Sequence, residues 1–139
     1  MTAGSRRKSR ELAMQMLFQS DLGKQTADEV RDTFWKSGDP VEPEVRGFAE
    51  DLFRSAVANQ ERIDELIAAN SRHWRLERMP AVDRNLLRMA VGEMLGFKST
   101  PFPIVINEAL EIARRYSAPE SINFLNGILD AIAHGLLPK

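Results

Sequence analysis

Apolar side chains recur along most of the chain at the three- and four-residue spacing of helices that bury one face. The clearest stripe runs from Val45 to Val57. Residues 104–106 are β-branched and could form a short strand, but Ala109 and Ala113 continue them at helical spacing. No pair of segments shows the alternation typical of paired strands. The pattern therefore predicts an all-α protein with about seven helices.

Polar caps, prolines and glycines predict where these helices begin and end. Ser5 is expected to cap the first helix, and Gly23 to end it. Pro43 suits a first helical turn, and Asn59 marks a break. Two pairs have capping-box spacing, which predicts the starts of the second and last helices. These pairs are Thr26 with Glu29 and Ser117 with Glu120.

Seven helices joined by short loops are too many for one simple four-helix bundle. We therefore expect residues 1–139 to form a single domain of two small packed bundles, residues 5–70 and 79–136. Gly127 lies inside the last predicted helix, where glycine costs about 1 kcal/mol relative to alanine. A close crossing by another helix at Gly127 would explain that cost.

Composition narrows the class of protein. With 139 residues, 43 % of them hydrophobic, the chain can bury a real core. Cysteine is absent, which excludes disulfides, thiol nucleophiles and thiolate zinc sites. No apolar run is long enough to span a membrane, and no apolar segment follows the basic N-terminus as in a signal peptide. A cytoplasmic protein is expected.

Catalytic and cofactor motifs are missing from the sequence. No glycine-rich phosphate loop and no GxSxG segment occurs. His73 and Glu77 are four residues apart and could share a helix face, but two ligands without a third are a weak metal signal. The sequence predicts no enzyme, no cofactor and no metal.

The net charge of −1 hides an uneven distribution. Residues 1–20 are basic, residues 21–70 are acidic, and a second basic cluster follows. That cluster comprises Arg72, Arg75, Arg78, Arg84 and Arg88. The first helix begins with four cations in five residues: Arg6, Arg7, Lys8 and Arg10. Cations at a helix start oppose the macrodipole, whereas guanidinium groups there can bind phosphates. These residues are candidates for RNA binding.

Two phenylalanines lie off the main apolar stripes of their helices. Phe18 follows the basic segment, and Phe124 lies in the last helix. An aromatic ring beside a basic segment is typical of single-stranded RNA binding, because charge holds the backbone and the ring stacks on a base. Ordinary packing in the core is the alternative for each ring.

Several segments together resemble the NusB family of bacterial transcription antitermination factors. They are the RRKSRELA opening at residues 6–13, the LLRMAVGEM stretch at 86–94, the PIVINEALEIA segment at 103–113 and the FLNGILD segment at 124–130. The resemblance covers nearly the whole chain. It implies an all-helical fold of two bundles, no catalysis, and binding of boxA-type RNA together with NusE, a small-ribosomal-subunit protein.

The same resemblance implies a role in RNA polymerase antitermination complexes during ribosomal RNA synthesis. By position it places Arg6, Arg7, Lys8, Arg10, Phe18 and Phe124 on the RNA side. It places Asp83 and Glu120 near the surface that contacts NusE. Phe18 departs from the family, which often has Tyr there. A homodimer is one oligomeric state that the resemblance leaves open.

Two other classes of function remain open. A NusB-like domain also precedes the catalytic domain of certain RNA cytosine methyltransferases, so the chain could be such an accessory module. The end of the chain at Lys139 disfavours this reading. A helical adaptor that binds only protein is the other alternative, and the basic first helix disfavours it.

Overall fold

The computed structural model describes residues 2–72 and 74–138, and within them the chain is helical and forms no strand. The all-α prediction with about seven helices is confirmed. The α-helices are α1 (Ala3–Gly23), α2 (Ala27–Phe34), α3 (Pro43–Ala58), α4 (Gln60–Ala69), α5 (Ala81–Gly96), α6 (Phe102–Tyr116) and α7 (Ser121–Leu136). A short 3₁₀ helix over Leu76–Arg78 precedes α5.

Most helix boundaries follow the local sequence signals. At the start of α2, the Glu29 amide donates to Thr26 Oγ1 at 3.2 Å and the Thr26 amide donates to Glu29 Oε1 at 3.1 Å, so the predicted capping box is formed. Pro43 occupies the first turn of α3, and Asn59 separates α3 from α4. These confirmed boundaries depend only on residues a few positions apart.

The first helix differs from its predicted boundaries at both ends. Thr2 caps it, because the Ser5 amide donates to Thr2 Oγ1 at 3.1 Å. At the other end, Gly23 is still helical, and Lys24 adopts the left-handed conformation with φ of 51°. The predicted cap Ser5 is therefore one turn inside the helix.

The predicted capping box before the last helix is absent. Ser117 ends α6, and its Oγ donates to Asp83 Oδ1 at 2.6 Å. Glu120 precedes α7 without a side-chain capping bond. A contact with a residue distant in sequence has replaced the local one.

One apolar core contains side chains from all seven helices. Helix α5 lies at its centre and packs against α1, α3, α4, α6 and α7. The core thus includes residues from both predicted bundles, and the boundary between the bundles stays a prediction. A smaller cluster of Leu12, Val45 and Ala49 joins α1 to α3.

The close helix crossing occurs at Gly92 and not at Gly127. A Cβ at Gly92 would lie 3.1 Å from both Cα and Cβ of Ala56, so α3 and α5 meet backbone to backbone. Ser55 Oγ strengthens this crossing by donating to the Gly92 carbonyl at 3.0 Å. Nothing lies within 4 Å of a Cβ at Gly127. The expectation of a crossing at Gly127 is therefore wrong.

Candidate nucleic-acid interface

The basic start of α1 distributes its four cations between the surface and the core. Arg6 and Lys8 are exposed. The Arg6 guanidinium lies 5.2 Å from the centre of the Phe48 ring, which supports it without removing its charge from solvent. Arg6 and Lys8 are thus the members of the basic start that are open to an anion.

Arg10 is buried in the core. Its Nε and Nη2 donate to the two carboxylate oxygens of Glu93, each at 2.7 Å. The side chains of Arg10 and Glu93 are 3 % and 0 % exposed. This corrects the expectation that Arg10 is available to RNA, because its charge is neutralised by a buried carboxylate that links α1 to α5.

Arg7 is half-buried, whereas Arg6 and Lys8 are exposed and Arg10 is buried. Its Nε donates to Glu108 Oε2 at 2.6 Å and its Nη2 to Glu108 Oε1 at 3.2 Å. These hydrogen bonds, together with the negative charge of Glu108, raise the pKa of Arg7 above its already high value. The arginine stays charged, but a phosphate would have to compete with Glu108 for its donors.

The two singled-out phenylalanines are both half-buried. Phe124 packs against the main core and meets Trp74 edge to face, with ring centres 6.4 Å apart. Phe18 lies on α1, and the structure does not bring it together with Phe124 in any aromatic pair among the described residues. Phe124 therefore packs against the core and also keeps part of its ring at the surface.

Trp74 is the residue that the sequence analysis missed. Its side chain is 49 % exposed, which is unusual for so large an apolar group. Exposed arginines surround it in the segment between α4 and α5, namely Arg72, Arg75 and Arg78. We call Arg72, Trp74, Arg75, Arg78 and Phe124 the Trp74 surface. A tryptophan between closely spaced arginines was the signal in the sequence.

Three cavities meet at Trp74. One of about 480 Å³ lies between this segment and α7 and includes Asn123 and Gly127 in its lining. The second, of about 470 Å³, is lined by Arg72, Arg75 and Arg78. The third is smaller, about 190 Å³. Gly127 has no side chain, and this leaves the first cavity open. A helix crossing at Gly127 would have filled that space.

The two acidic residues expected near a partner surface both line the third cavity. Asp83 is only 2 % exposed, so it offers almost no area to a docked protein. This corrects the expectation of a surface acid at Asp83. Glu120 is exposed and remains available to a partner.

Arg84 and Arg88 do not contribute to the Trp74 surface. Arg84 Nε donates to Asp21 Oδ2 at 2.8 Å, and Arg88 makes two hydrogen bonds to Asp64 at 2.9 and 3.0 Å. Burial acts to raise the pKa of Asp21, but hydrogen bonds from Asn85 and Arg84 outweigh it, so the pKa is lowered. The second basic cluster thus divides into an exposed part and a structural part.

In residues 2–72 and 74–138, no group of three or more histidines, aspartates or glutamates could hold a metal ion. The weak metal pair proposed from sequence includes His73, which lies outside the described residues. No helix in this part of the chain is both long and apolar enough to cross a membrane.

In this all-helical fold, an exposed tryptophan among arginines combines the aromatic ring and the cations that proteins use to bind single-stranded nucleic acid. The model of the NusB family matches residues 7–134, and the chain belongs to that family. It is 60 % identical over 133 residues to the transcription antitermination protein NusB of Koribacter versatilis (strain Ellin345), covering 96 % of this chain and 91 % of that protein.

Solved structures share the fold. The T. maritima NusB structure matches with a TM-score of 0.85 and 34 % identity, covering 96 % of this chain and 93 % of that one. A structure of the antitermination factors NusB and NusE in complex with double-stranded RNA matches with a TM-score of 0.85 and 25 % identity. That match covers 96 % of this chain and 99 % of the other.

Proposed function

We propose that the chain is a non-catalytic transcription antitermination factor that binds boxA-type single-stranded RNA together with NusE. It acts in RNA polymerase antitermination complexes during ribosomal RNA synthesis, and therefore in the bacterial cytoplasm. The names of its relatives support the antitermination role. The structure of NusB and NusE in complex with double-stranded RNA supports NusE and an RNA as partners.

The Trp74 surface is the observation that carries RNA binding. An exposed indole ring can stack on a base only when that base is free of its neighbours, as in single strands, loops and bulges. Arg72, Arg75 and Arg78 can hold the phosphates on either side of such a base. In the described part of the chain, these three arginines form no ion pair with a carboxylate.

Arg6 and Lys8 form a second proposed RNA contact at the start of α1, and Arg7 joins it where phosphate displaces Glu108. Phe18 stays a proposed stacking residue because its ring is half-exposed. Of the two acids, Glu120 is the proposed NusE contact, since it is exposed and makes no capping bond.

Salt dependence of RNA binding tests the assignment of the arginines. Labelled boxA-type RNA is titrated with the full chain, with and without NusE, at several salt concentrations. Each phosphate contact on a single strand contributes about −0.7 to the slope of log K against log salt. Replacing Arg72, Arg75 and Arg78 with Gln should therefore make the slope shallower by about 2.

The matched control removes three exposed cations from other regions: Lys36, Arg54 and Lys98. Their replacement with Gln changes the net charge equally and should leave the slope near its parent value. Equal slopes for the two triple variants would contradict the assignment. No binding of boxA-type RNA, even with NusE, would favour an adaptor that binds only protein.

Stacking is tested separately with Trp74→Leu and Phe124→Leu. Leucine keeps apolar volume but has no π-face, so a stacking residue should lose about 1–3 kcal/mol of RNA binding per base. The melting temperature of Trp74→Leu should stay close to that of the parent, because half of the ring is already in solvent. A variant that melts early and binds RNA normally when folded would show packing and no stacking.

A further inference from the structure

The smallest cavity at Trp74 has aromatic walls and a buried carboxylate. It has a volume of about 190 Å³, and Trp74 and Phe124 form two of its sides. Met79 and Pro80 add apolar surface, and Asp83 and Glu120 supply the acids. The cavity is continuous with the arginine-bearing segment through Trp74, which lines all three cavities.

Within the described residues, only one oxygen of the Asp83 carboxylate accepts a hydrogen bond. Ser117 Oγ donates to its Oδ1 at 2.6 Å, and no described residue donates to its Oδ2. No described cation forms an ion pair with this carboxylate either. A carboxylate that is 2 % exposed gains strongly from a further donor, because water reaches so little of it. A ligand in the cavity would supply that donor.

The charges around this cavity determine which part of an RNA can enter it. Phosphate is repelled by Asp83 and Glu120 and attracted by the arginines on the other side of Trp74. A base is neutral, is flat enough to lie against Trp74 and Phe124, and can bring N–H donors to the carboxylate. The cavity therefore suits a base, with the backbone held outside by Arg72, Arg75 and Arg78.

Resting on the proposed RNA binding, we propose that this cavity selects one unpaired base that carries an exocyclic amino group. The base stacks on one of the two rings, Trp74 or Phe124, with its edge against the other, and its amino group donates to Asp83. Cytosine is the pyrimidine with this group, at the position where uracil has a carbonyl oxygen. That oxygen would face a carboxylate, so the same contact that favours cytosine rejects uracil.

The test compares RNAs that differ by one amino group. In a boxA-type RNA, each cytosine is changed to uracil in turn and each adenine to purine, and affinity is measured with the full chain and NusE. At one position, loss of the amino group should weaken binding about tenfold or more, as expected for a hydrogen bond to a charged acceptor.

The variant Asp83→Asn tests the contribution of the carboxylate to base preference. Its amide still accepts from Ser117 and can donate to a carbonyl oxygen, so the preference at that position should disappear or reverse in favour of uracil. Glu77→Gln is the matched control, since it removes an exposed acid from the neighbouring cavity at Trp74. It should leave the preference unchanged.

A measurement on the parent chain guards against misfolding of Asp83→Asn. A photoreactive 5-iodocytidine keeps the exocyclic amino group, and 8-azidoadenosine serves where the selected base is adenine. Placed at the selected position, the label should cross-link to residues 74–83 or 120–124, and the same label at other positions should not. Cross-links at that position that fall entirely outside these segments would overturn the proposal.

The outcomes separate the cavity from the proposed function. If RNA binds but no position depends on an amino group, or Asp83→Asn keeps the parent preference, the cavity does not select a base and RNA binding stands. If Asp83→Asn instead abolishes NusE binding at unchanged base preference, the cavity takes a basic side chain of the protein partner and the proposal is wrong. If no RNA binds, both proposals fail.

Discussion

Arg6, Arg7, Lys8 and Arg10 look alike in the sequence but have different surroundings in the structure. Helical spacing explains the difference for Arg10, which lies on the same face as Ala13, Met14 and Leu17. The sequence thus contained the signal that Arg10 points into the core. Its partner Glu93 could not be predicted, because 83 residues separate the two.

Replacing Arg10 with Ala should destabilise the fold strongly. It leaves Glu93 as an unpaired charge in the core, a change that costs about 3–5 kcal/mol. Arg6→Ala removes an exposed cation from the same helix and should shift the free energy of unfolding by less than about 0.5 kcal/mol. Urea unfolding of the two variants and the parent measures the difference.

The double variant Arg10→Met with Glu93→Leu checks the cause. Removing both charges together leaves no unpaired group, so stability should return most of the way to that of the parent. If Arg10→Ala unfolds at the same urea concentration as Arg6→Ala, the buried pair has no special role.

Asp21 gives the stability a dependence on acid pH. Its pKa is lowered in the folded chain, so its contribution is fully present above the unfolded pKa of about 4. The contribution is lost as pH falls through the lower, folded pKa. Asp21→Asn should therefore reduce the difference in unfolding free energy between pH 7 and pH values well below 4.

Asp39→Asn is the comparison for this measurement, since Asp39 lies exposed in the loop between α2 and α3. It should retain the pH dependence of the parent. An equal loss of pH dependence in the two variants would show that the Asp21 network does not cause it.

At the scale of the elements, two mid-helix glycines have opposite surroundings. Gly92 meets the backbone of Ala56 where α3 crosses α5, and Gly127 faces an open cavity. The sequence could show that both glycines are costly in a helix. It could not show which one a neighbouring helix approaches, because that depends on how the helices pack.

Alanine at the two positions should have effects of opposite sign. Gly127→Ala should stabilise the chain by about 1 kcal/mol, the ordinary gain for alanine over glycine inside a helix. Gly92→Ala gains the same amount but forces α3 away from α5 at a 3.1 Å contact, so its net effect should be destabilising. Thermal or urea unfolding of the two variants measures these effects. If both variants were more stable than the parent, the described crossing of α3 and α5 would be contradicted.

The helices could be predicted because their signals are local. The apolar stripe of α3 and the capping box at α2 involve neighbouring residues, and both are found as expected. Ser117 is a position where prediction from neighbouring residues fails. Its spacing to Glu120 is that of a capping box, but a contact with Asp83, 34 residues away, determines its conformation.

The candidate site was less predictable than the fold for the same reason. The basic residues and Phe124 could be selected from sequence, but exposure decides which of them a ligand can reach. Trp74 combines with Phe124 only because α7 packs near the end of α4. No spacing rule connects two residues 50 positions apart.

For the whole molecule, the single core predicts one cooperative unfolding transition. Helix α5 buries side chains against helices from both predicted bundles, so neither bundle keeps its core when the other unfolds. Calorimetric and van't Hoff enthalpies should agree. Fragments 1–72 and 79–139 should each be largely unfolded in isolation, and two separate transitions would show that the bundles are independent domains.

The position of Trp74 also gives the chain a built-in optical reporter. The sequence contains two tryptophans, and Trp35 contacts Phe34 and Arg46, whereas Trp74 is half in solvent. Indole emission shifts to longer wavelength in water and is quenched by a stacked base. In a Trp35→Phe chain, all tryptophan fluorescence would come from Trp74, so the arrival of each base at this surface could be timed by stopped flow without any label.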